Sequence, residues 1–313
     1  MATQTQVAKL KVQRGNKDVG QSLTRMAIRR LRKDTLTLIA LFILATLAIA
    51  SFGAPVISRA LNVDFRTNNL DRTFAQIGSV GTNRDGTTAI HLLGTDDLGR
   101  DHLSRLLYAG QVSLRVGFLA AILALGIGVS LGIITGYYGG IIDDIVNWVI
   151  ATLTSIPSLF LLLIVAAILP SAGPETLILV LGFLGWTGTT RLVRGETLSL
   201  REREYVISAR AVGASPLRIM FTHILPNLFS VIVVTLALDI GGLILAEAGL
   251  SYLGLGIKPP TPSWGNMLSN AQDFFVRGIH LVIFPGLMIF ITVLCLYVIG
   301  DGIRDAFDPT AKD

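Results

Sequence analysis

The densest group of side chains capable of chemistry lies between His91 and His102, in the stretch HLLGTDDLGRDH. Two histidines and three aspartates in this stretch are of the types that ligate metal ions, nickel among them. Their spacing does not follow a common ligand pattern such as H-x-x-x-H. We therefore favour the simpler interpretation, in which the aspartates cap a helix and pair with Arg100 and Arg105.

Other catalytic signatures are absent from the sequence. No G-x-x-x-x-G-K-[ST] motif occurs, so the chain has no phosphate-binding loop of that type. Four histidines and a single cysteine, Cys295, give no recognisable nucleophile–base pair, and one cysteine cannot form a disulfide within the chain. We predict no catalytic residue, no metal ligand and no cofactor bound by this chain.

Two carboxylates fall inside an apolar run. Asp239 lies in the middle of it, and Glu247 follows about two helical turns later. Charges at bilayer depth are costly and seldom face lipid. These residues therefore face either a translocation pathway or a partner subunit, or else they form structural hydrogen bonds to a neighbouring helix.

The composition is that of an integral membrane protein. Hydrophobic residues make up 51% of the chain and charged residues only 15%, with a mean hydropathy of +0.64. The net charge of +5 is concentrated before residue 35, and no nucleic-acid motif accompanies it. We predict a basic cytoplasmic segment over 1–34, either a disordered tail or, over 21–33, a helix on an anionic membrane surface.

Six apolar runs approach the length needed to cross a bilayer. They are residues 35–57, 113–135, 145–169, 177–193, 228–250 and 281–299. Basic residues near the chain ends and in the loop 194–227 place both termini and that loop in the cytoplasm. The loops 58–112 and 251–280 are then outside, although the first also carries arginines, because long loops weigh less in this rule.

Glycine and proline predict how the spans pack and bend. Gly128, Gly132 and Gly136 recur every four residues and predict a smooth strip on which another helix packs closely. Pro157 is expected to kink the third span. Pro285 lies near the start of the sixth span, where proline costs little.

The most informative polar segment interrupts the apolar pattern at 204–227, EYVISARAVGASPLRIMFTHILPN. It predicts an amphipathic helix, a turn at Gly213, and a second helix that returns to the bilayer. A segment of this kind between two spans indicates a docking site for another protein. An ATPase is the candidate, because this chain carries no ATPase motif of its own.

Residues 193–227 resemble the cytoplasmic loop of ABC-importer permeases, whose pattern is Glu-Ala-Ala, three residues, Gly, nine residues, Ile-x-Leu-Pro. The matching positions are Ala209, Gly213, Leu225 and Pro226. The Glu and first Ala positions are Ile207 and Ser208 here, and the Ile position is His223. The ending His-x-Leu-Pro-Asn is typical of the peptide-importer branch.

Three further stretches are similar to dipeptide and oligopeptide permeases of the C type. They are residues 93–116 (LGTDDLGRDHLSRLLYAGQVSLRV), 250–268 (LSYLGLGIKPPTPSWGNML) and 300–309 (GDGIRDAFDP). The resemblance extends from about the first span to the C-terminus.

This resemblance implies an all-α, six-span permease domain over 35–313, with the type I ABC-importer architecture. It implies partners: a second homologous permease subunit, one or two ATPase subunits that hold ATP and Mg²⁺, and an extracytoplasmic substrate-binding protein. The complex would lie in a bacterial or archaeal plasma membrane. The expected solutes are di- and oligopeptides, with nickel or another small solute as the alternative.

The resemblance also assigns candidate site residues. The ATPase-coupling loop would comprise Ala209, Arg210, Gly213, Ala214, Arg218, Ile219, Met220, Leu225 and Pro226. Ile219 and Met220 would pack into a groove on the ATPase, and Arg210 and Arg218 would pair with its acidic rim. In the outer loop, Pro259, Pro260 and Trp264 would either contact the binding protein or form a rigid cap on the last two spans.

Two other classes of protein remain as alternatives. An ion-gradient-driven secondary transporter would need its own coupling-ion site and usually internal repeats, and no convincing repeat is present. An integral membrane enzyme would need a catalytic set clustered at one membrane depth.

Overall fold

The computed structural model describes residues 23–82, 87–169 and 173–307. Its main helices are α1 (Leu23–Leu31), α2 (Thr35–Phe52), α3 (Ala54–Ala60), α4 (His102–Tyr138), α5 (Gly140–Thr154), α6 (Ser158–Ile168), α7 (Pro174–Arg201), α8 (Glu204–Ala211), α9 (Phe229–Tyr252), α10 (Ala271–Arg277) and α11 (His280–Phe307). Short 3₁₀ turns lie at Leu70–Arg72 and Asn266–Leu268. Of the basic N-terminal segment, only the part that forms α1 and the residues after it are described, and the predicted surface helix coincides with α1.

The predicted spans are confirmed as helices. Five helices in the described part of the chain are long and apolar enough to cross a membrane, or six when the bent pair α5 and α6 counts as one span. Several extend well beyond the predicted limits. Helix α4 has 37 residues and is therefore about 55 Å long, so it continues past a hydrocarbon core of about 30 Å.

Proline and glycine interrupt two of the spans. The first predicted span, 35–57, ends early because Gly53 closes α2 and Pro55, at the start of α3, has no N–H to continue the helix. The predicted kink at Pro157 is a complete break: Pro157 caps α6, and α5 and α6 are bent by 84°. Pro285 lies inside α11, where it is the sixth residue and thus near the start of the helix, as predicted.

The glycine strip of α4 packs against α7. A Cβ added at Gly128 would lie 2.6 Å from the Cβ of Thr189, and one at Gly132 would lie 2.7 Å from the Cβ of Val193. Gly136 faces Thr197 in the same way. The partner numbers rise together, so the two helices run parallel, and the predicted close packing is confirmed.

Helix α9 packs antiparallel to α4, and α11 packs antiparallel to α9. Gly117 of α4 faces Ile244 of α9, and Gly300 of α11 faces Leu238 of α9. Helix α2 lies on the end of α11, where Gly302 leaves room for Thr37. The Thr37 hydroxyl and the Leu36 amide donate to the Asp34 carboxylate, which caps α2. The Thr37 hydrogen bond lowers the pKa of Asp34.

A small antiparallel sheet lies between α3 and α4, where the sequence predicted only an outer loop. Strands β1 (Ser79–Thr82) and β2 (Thr88–His91) pair with Val80 opposite Ile90. Residues 83–86, which join them, lie outside the described part. The hairpin adds a pair of strands to the segment that the sequence analysis predicted as an outer loop.

Candidate functional site

The predicted helix–turn–helix between the fourth and fifth spans is confirmed. Helix α7 ends at Arg201, and α8 follows after two residues. The chain then turns at Gly213, whose φ of +84° lies in the left-handed region that favours glycine. The next helical turn, Pro216–Arg218, begins at Ser215, whose hydroxyl accepts from the Arg218 amide at 3.4 Å.

The return to the bilayer is irregular. A π-helical turn, Ile219–Ile224, is followed by a 3₁₀ turn, Leu225–Leu228, before α9 begins. Pro226 has no N–H with which to continue an α-helical ladder, so the chain changes helical type at this point. This change of period alters which side chains face inward.

Ile219 and Met220 point into the protein. They are 0% and 5% exposed, and they pack with Val206, Ile224 and Val193. The prediction that Ile219 and Met220 insert into an ATPase groove is therefore wrong. Their apolar contacts instead hold the segment against α7.

The exposed apolar residues of the segment are ones that the sequence analysis did not select. Val212 is 85% exposed, Leu217 63% and Phe221 66%. They flank the turn at Gly213, where an added Cβ would meet no atom within 4 Å. We call Val212, Leu217 and Phe221 the apolar tip. The feature of the sequence that could have identified them is their position on either side of the turn at Gly213.

The remaining predicted loop residues surround this tip. Arg210 is exposed and lies over the Tyr137 ring, 5.7 Å from its centroid. Arg218 and Pro226 are also exposed. The other three predicted residues, Ala209, Ala214 and Leu225, are half-buried against the inward-facing cluster.

The base of the segment is tied to two neighbouring helices. Arg194 of α7 forms a two-pronged ion pair with Asp143 of α5, with Nη2 2.5 Å from Oδ2. Arg201, the last residue of α7, donates from Nη1 to the Gly136 carbonyl of α4 at 3.0 Å. The segment is thus an extension of the α4–α7 pair.

The two intramembrane carboxylates form hydrogen bonds inside the helix bundle. Asp239 accepts from the Thr189 hydroxyl at 3.0 Å. Glu247 is 0% exposed and accepts from Ser113 at 2.8 Å and from Ser251 at 2.6 Å. Both contacts are therefore of the kind expected if these carboxylates form structural hydrogen bonds to a neighbouring helix. The carboxylate of Glu247 is also enclosed by protein, which contradicts a position facing an open pathway.

Trp264 belongs to a fixed cap. It is 1% exposed, its Nε1 donates to the Leu106 carbonyl at 3.0 Å, and its backbone N–H donates to Ser113 Oγ at 3.2 Å. The burial of Trp264 contradicts a direct contact of this side chain with a binding protein, and only Pro259 and Pro260 of the predicted contact residues are exposed. The rigid-cap alternative is the one that the contacts of Trp264 support.

The aspartates near the start of α4 act as the simpler interpretation predicted. Asp101 accepts from the Ser104 amide at 2.6 Å and thereby caps α4, and it contacts His91 Nδ1 at 2.8 Å. Asp96 pairs with both predicted arginines, Arg100 Nη2 at 2.7 Å and Arg105 Nε at 3.2 Å. Burial raises the pKa of Asp97, and the neighbouring Asp96 acts in the same direction.

Two known families match separate stretches of the chain. The family described as "Binding-protein-dependent transport system inner membrane component" matches residues 128–313, more than half of the 313 residues. The family described as "N-terminal TM domain of oligopeptide transport permease C" matches residues 22–73. These two matches take in the first span and the whole α7–α9 segment.

Individual relatives agree with the family match. The chain is 37% identical to the dipeptide transport system permease protein DppC of Alkalihalophilus pseudofirmus, over 92% of this chain and 90% of that protein. It is 37% identical to the oligopeptide transport system permease protein OppC of Bacillus subtilis, over 93% and 91%. It is 42% identical to the glutathione transport system permease protein GsiD of Pectobacterium atrosepticum, over 73% and 75%.

The fold is also that of a solved importer. An inward-facing structure of the MetNI methionine ABC transporter aligns with a TM-score of 0.51 at 19% identity, covering 65% of this chain and 96% of that one. Permease subunits of ABC transporters are not enzymes, because the ATPase is a separate chain. The alternatives of an ion-gradient carrier and of a membrane enzyme are thereby set aside. The chain belongs to the family of binding-protein-dependent inner-membrane transport permeases, and within it to the C-type dipeptide and oligopeptide permease subunits of ABC importers.

Proposed function

We propose that this chain forms half of a pore for di- and oligopeptides in a bacterial plasma membrane. A second homologous permease would complete the pore. One or two ATPase chains would bind ATP and Mg²⁺, and an extracytoplasmic protein would deliver the peptide. The names of the dipeptide, oligopeptide and glutathione permeases that resemble this chain support the solute class.

The observation that carries the coupling role is the apolar tip. Val212 and Leu217 are exposed on either side of a turn whose backbone requires glycine. Three exposed apolar side chains beside Arg210 and Arg218 make a surface suited to a groove with an acidic rim. The basic residues near the chain ends and in this loop support a cytoplasmic position for all three.

Movement of an ATPase would reach the spans through the base of the segment. Ile219 and Val206 pack against Val193 of α7, and Arg201 binds the Gly136 carbonyl of α4. Both contacts are short and largely buried, and close-packed contacts compress little, so a displacement of the segment is passed on to the helices. A push on the apolar tip therefore moves α4 and α7 together.

The test is Leu217→Asp in the assembled importer. A carboxylate here places a charge in the proposed apolar contact while leaving the buried side of the segment intact. We expect peptide uptake into membrane vesicles to fall at least tenfold while the chain remains in the membrane, since one desolvated charge costs well over 1.4 kcal/mol. The matched control is Leu70→Asp, a 72% exposed leucine outside the α7–α9 segment, which should retain uptake.

The outcome of that comparison decides the coupling role. Loss of uptake with Leu217→Asp alone, together with loss of the ATPase from the purified complex, supports it. Normal uptake with Leu217→Asp would show that the apolar tip contacts nothing that transport requires.

We also propose Pro259 and Pro260 as a contact for the binding protein. Both are exposed at the outer end of a loop whose base is held by Trp264 and by Asn266, which donates to the Ile257 and Thr261 carbonyls. A stiff exposed loop presents a contact surface at little entropic cost. Pro260→Asp should weaken the binding protein's affinity for the importer in a pull-down from solubilised membranes, and unchanged affinity would exclude this contact.

A further inference from the structure

The broken third span exposes irregular backbone at membrane depth. Residues 155–157 separate α5 from α6 at the 84° bend, and the side chains around the break are exposed. Non-helical backbone is tolerated inside a bilayer only where it is buried in protein or lines a water-filled cavity. The exposure at this break in the single chain therefore indicates a water-filled space or a contact with another subunit rather than lipid.

A cavity of about 450 Å³ lies at the break. Its lining includes the polar residues Thr154, Ser158 and Thr187, and the glycines Gly185 and Gly242, among leucines. A Cβ at Gly242 would meet no atom within 4 Å, so the glycine faces open space. Cavities of a few hundred Å³ with a few polar groups on apolar walls are typical of small-molecule sites.

An exposed arginine stands at the edge of this cavity. Arg191 lies 17 residues into α7, about 25 Å along its axis, and its Nη2 donates to Thr154 Oγ1 at 3.1 Å. Among the residues that the structure describes, no carboxylate lies within ion-pair distance of Arg191, whereas Arg194, one turn later, is paired with Asp143. An arginine inside a span that has no anionic partner marks a wet pathway or an anion site.

We propose that this cavity is part of the wall of the solute pathway, and that Arg191 there binds the carboxylate of the passing solute. The second clause rests on the proposed peptide transport, because every peptide with a free C-terminus carries a carboxylate. The planar guanidinium offers paired N–H donors that match a carboxylate. Thr154 and Ser158 add hydroxyls, and the glycines leave room for varied side chains.

The same lining explains how the site can guide a carboxylate without trapping it. Arg191 is exposed, so its attraction for an anion is screened by water and is much weaker than that of a buried pair. A weak site of this kind attracts solutes that share one charged group and releases them readily. This suits a pathway through which peptides of different sequence pass.

The first experiment measures water access to the cavity. Single cysteines are introduced by Ser158→Cys and Gly242→Cys in the assembled importer, in open membrane fragments that expose both faces. They are treated with a membrane-impermeant methanethiosulfonate. The control is Phe183→Cys, an exposed residue one turn from Thr187 that does not line the cavity. The native Cys295 is buried, and the unmodified chain gives its background.

We expect both cavity cysteines to react at least tenfold faster than Phe183→Cys. Equal and slow reaction at all three positions would show that lipid or a partner chain fills the cavity, and would overturn the pathway assignment. This readout does not depend on which solute is transported. The labelling result therefore tests the pathway assignment independently of the proposed function.

The second experiment tests the charge of Arg191. An anionic methanethiosulfonate should react several-fold faster with Ser158→Cys than its cationic counterpart does, because Arg191 contacts Thr154, which lines the same cavity as Ser158, and a positive charge attracts the anion. Arg191→Gln should remove this preference, and Arg191→Lys should retain it. The control Arg115→Gln, another exposed arginine of a span helix but one paired with Glu175, should leave it unchanged.

Transport then separates the two proposals. With Arg191→Gln, uptake of a dipeptide with a free C-terminus should fall several-fold, whereas Arg115→Gln should retain it. A charge preference at Ser158→Cys that is insensitive to Arg191→Gln, or unchanged dipeptide uptake in that variant, would overturn the carboxylate assignment. Absence of any peptide uptake by the unmodified importer would instead refute the proposed function while leaving the labelling results in place.

Discussion

The glycine strip of α4 should be intolerant of even one methyl group where it meets α7. Gly132 is one such position, because an added Cβ would lie 2.7 Å from Val193 Cβ and 2.9 Å from the Thr190 carbonyl oxygen. Carbon atoms prefer separations of about 3.5–4.0 Å, so the helices would have to move apart by about 1 Å. The carbonyl belongs to the backbone of α7 and cannot rotate away.

The cost can be worked out against a matched control. Alanine is favoured over glycine in a helix by about 1 kcal/mol, and this gain is common to Gly132→Ala and Gly126→Ala. Gly126 lies on the same helix, and a Cβ there would meet no atom within 4 Å. Overpacking costs about 1–3 kcal/mol, so Gly132→Ala should be less stable than Gly126→Ala by about that amount.

The assay is equilibrium unfolding of the purified full-length chain in mixed micelles with increasing denaturing detergent. The two alanine variants are compared directly, so the propensity gain cancels and the difference isolates the contact between α4 and α7. Equal unfolding free energies would show that the two helices do not approach as closely as Gly132 and Val193 imply, and the packing argument would fail.

Three further substitutions test other parts of the structure. Gly213→Ala should lower the unfolding free energy by about 1 kcal/mol, because alanine is strained at a φ of +84°. The added Cβ has open space around it and adds no clash. An unchanged unfolding free energy would mean that the turn relaxes to another conformation. Asp101→Ala should cost about 1–2 kcal/mol in the same assay through loss of the α4 cap and of the His91 contact, with Asp101→Asn retaining most of the cap. Glu247→Ala should lower the unfolding free energy by about 1–3 kcal/mol, because the hydroxyls of Ser113 and Ser251 lose their partner, and Glu247→Gln should lower it less. The measurement is the rate of proteolysis of the cap around Trp264. Equal effects of the two substitutions would argue against the hydrogen-bond network.

The sequence predicted the elements better than it predicted their faces. Glycines at every fourth position indicated a packing surface on α4 but did not identify Thr189, Val193 and Thr197 as its partners, which lie some 60 residues away. In the segment 204–227, the helix–turn–helix and the outward position of Arg210 and Arg218 were correct, whereas Ile219 and Met220 face inward. The assignment of Ile219 and Met220 rested on the resemblance and on their apolar side chains, and neither predicts the π-helical turn at Ile219–Ile224, which changes the side chains that face inward.

Long-range hydrogen bonds account for the error at Trp264. Prolines around a tryptophan in a loop indicate stiffness and surface exposure. The side chain is nevertheless buried. The Leu106 carbonyl accepts the indole N–H and Ser113 Oγ accepts the backbone N–H of Trp264, and both acceptors lie about 150 residues earlier in the chain. Glu247 binds the same Ser113, so the cap and the intramembrane carboxylate belong to one network that no local pattern could predict.

Helix α7 connects the two sites proposed for this chain. Its last residue, Arg201, leads directly into the segment that bears the apolar tip, and Arg191 stands at the cavity ten residues earlier, about 15 Å along the same axis. Between them, Val193 packs against Gly132 and Arg194 binds Asp143, so α4, α5 and α7 cannot slide independently at this level.

A displacement applied at Leu217 must therefore change the position of Arg191 relative to the rest of the pathway, unless α7 bends. No proline follows Pro174 within α7, and its glycines Gly188 and Gly195 are the positions where such bending would begin. Under the proposed function, the stiffness of α7 over residues 188–201 is thus the physical property on which coupling between ATPase and solute would depend.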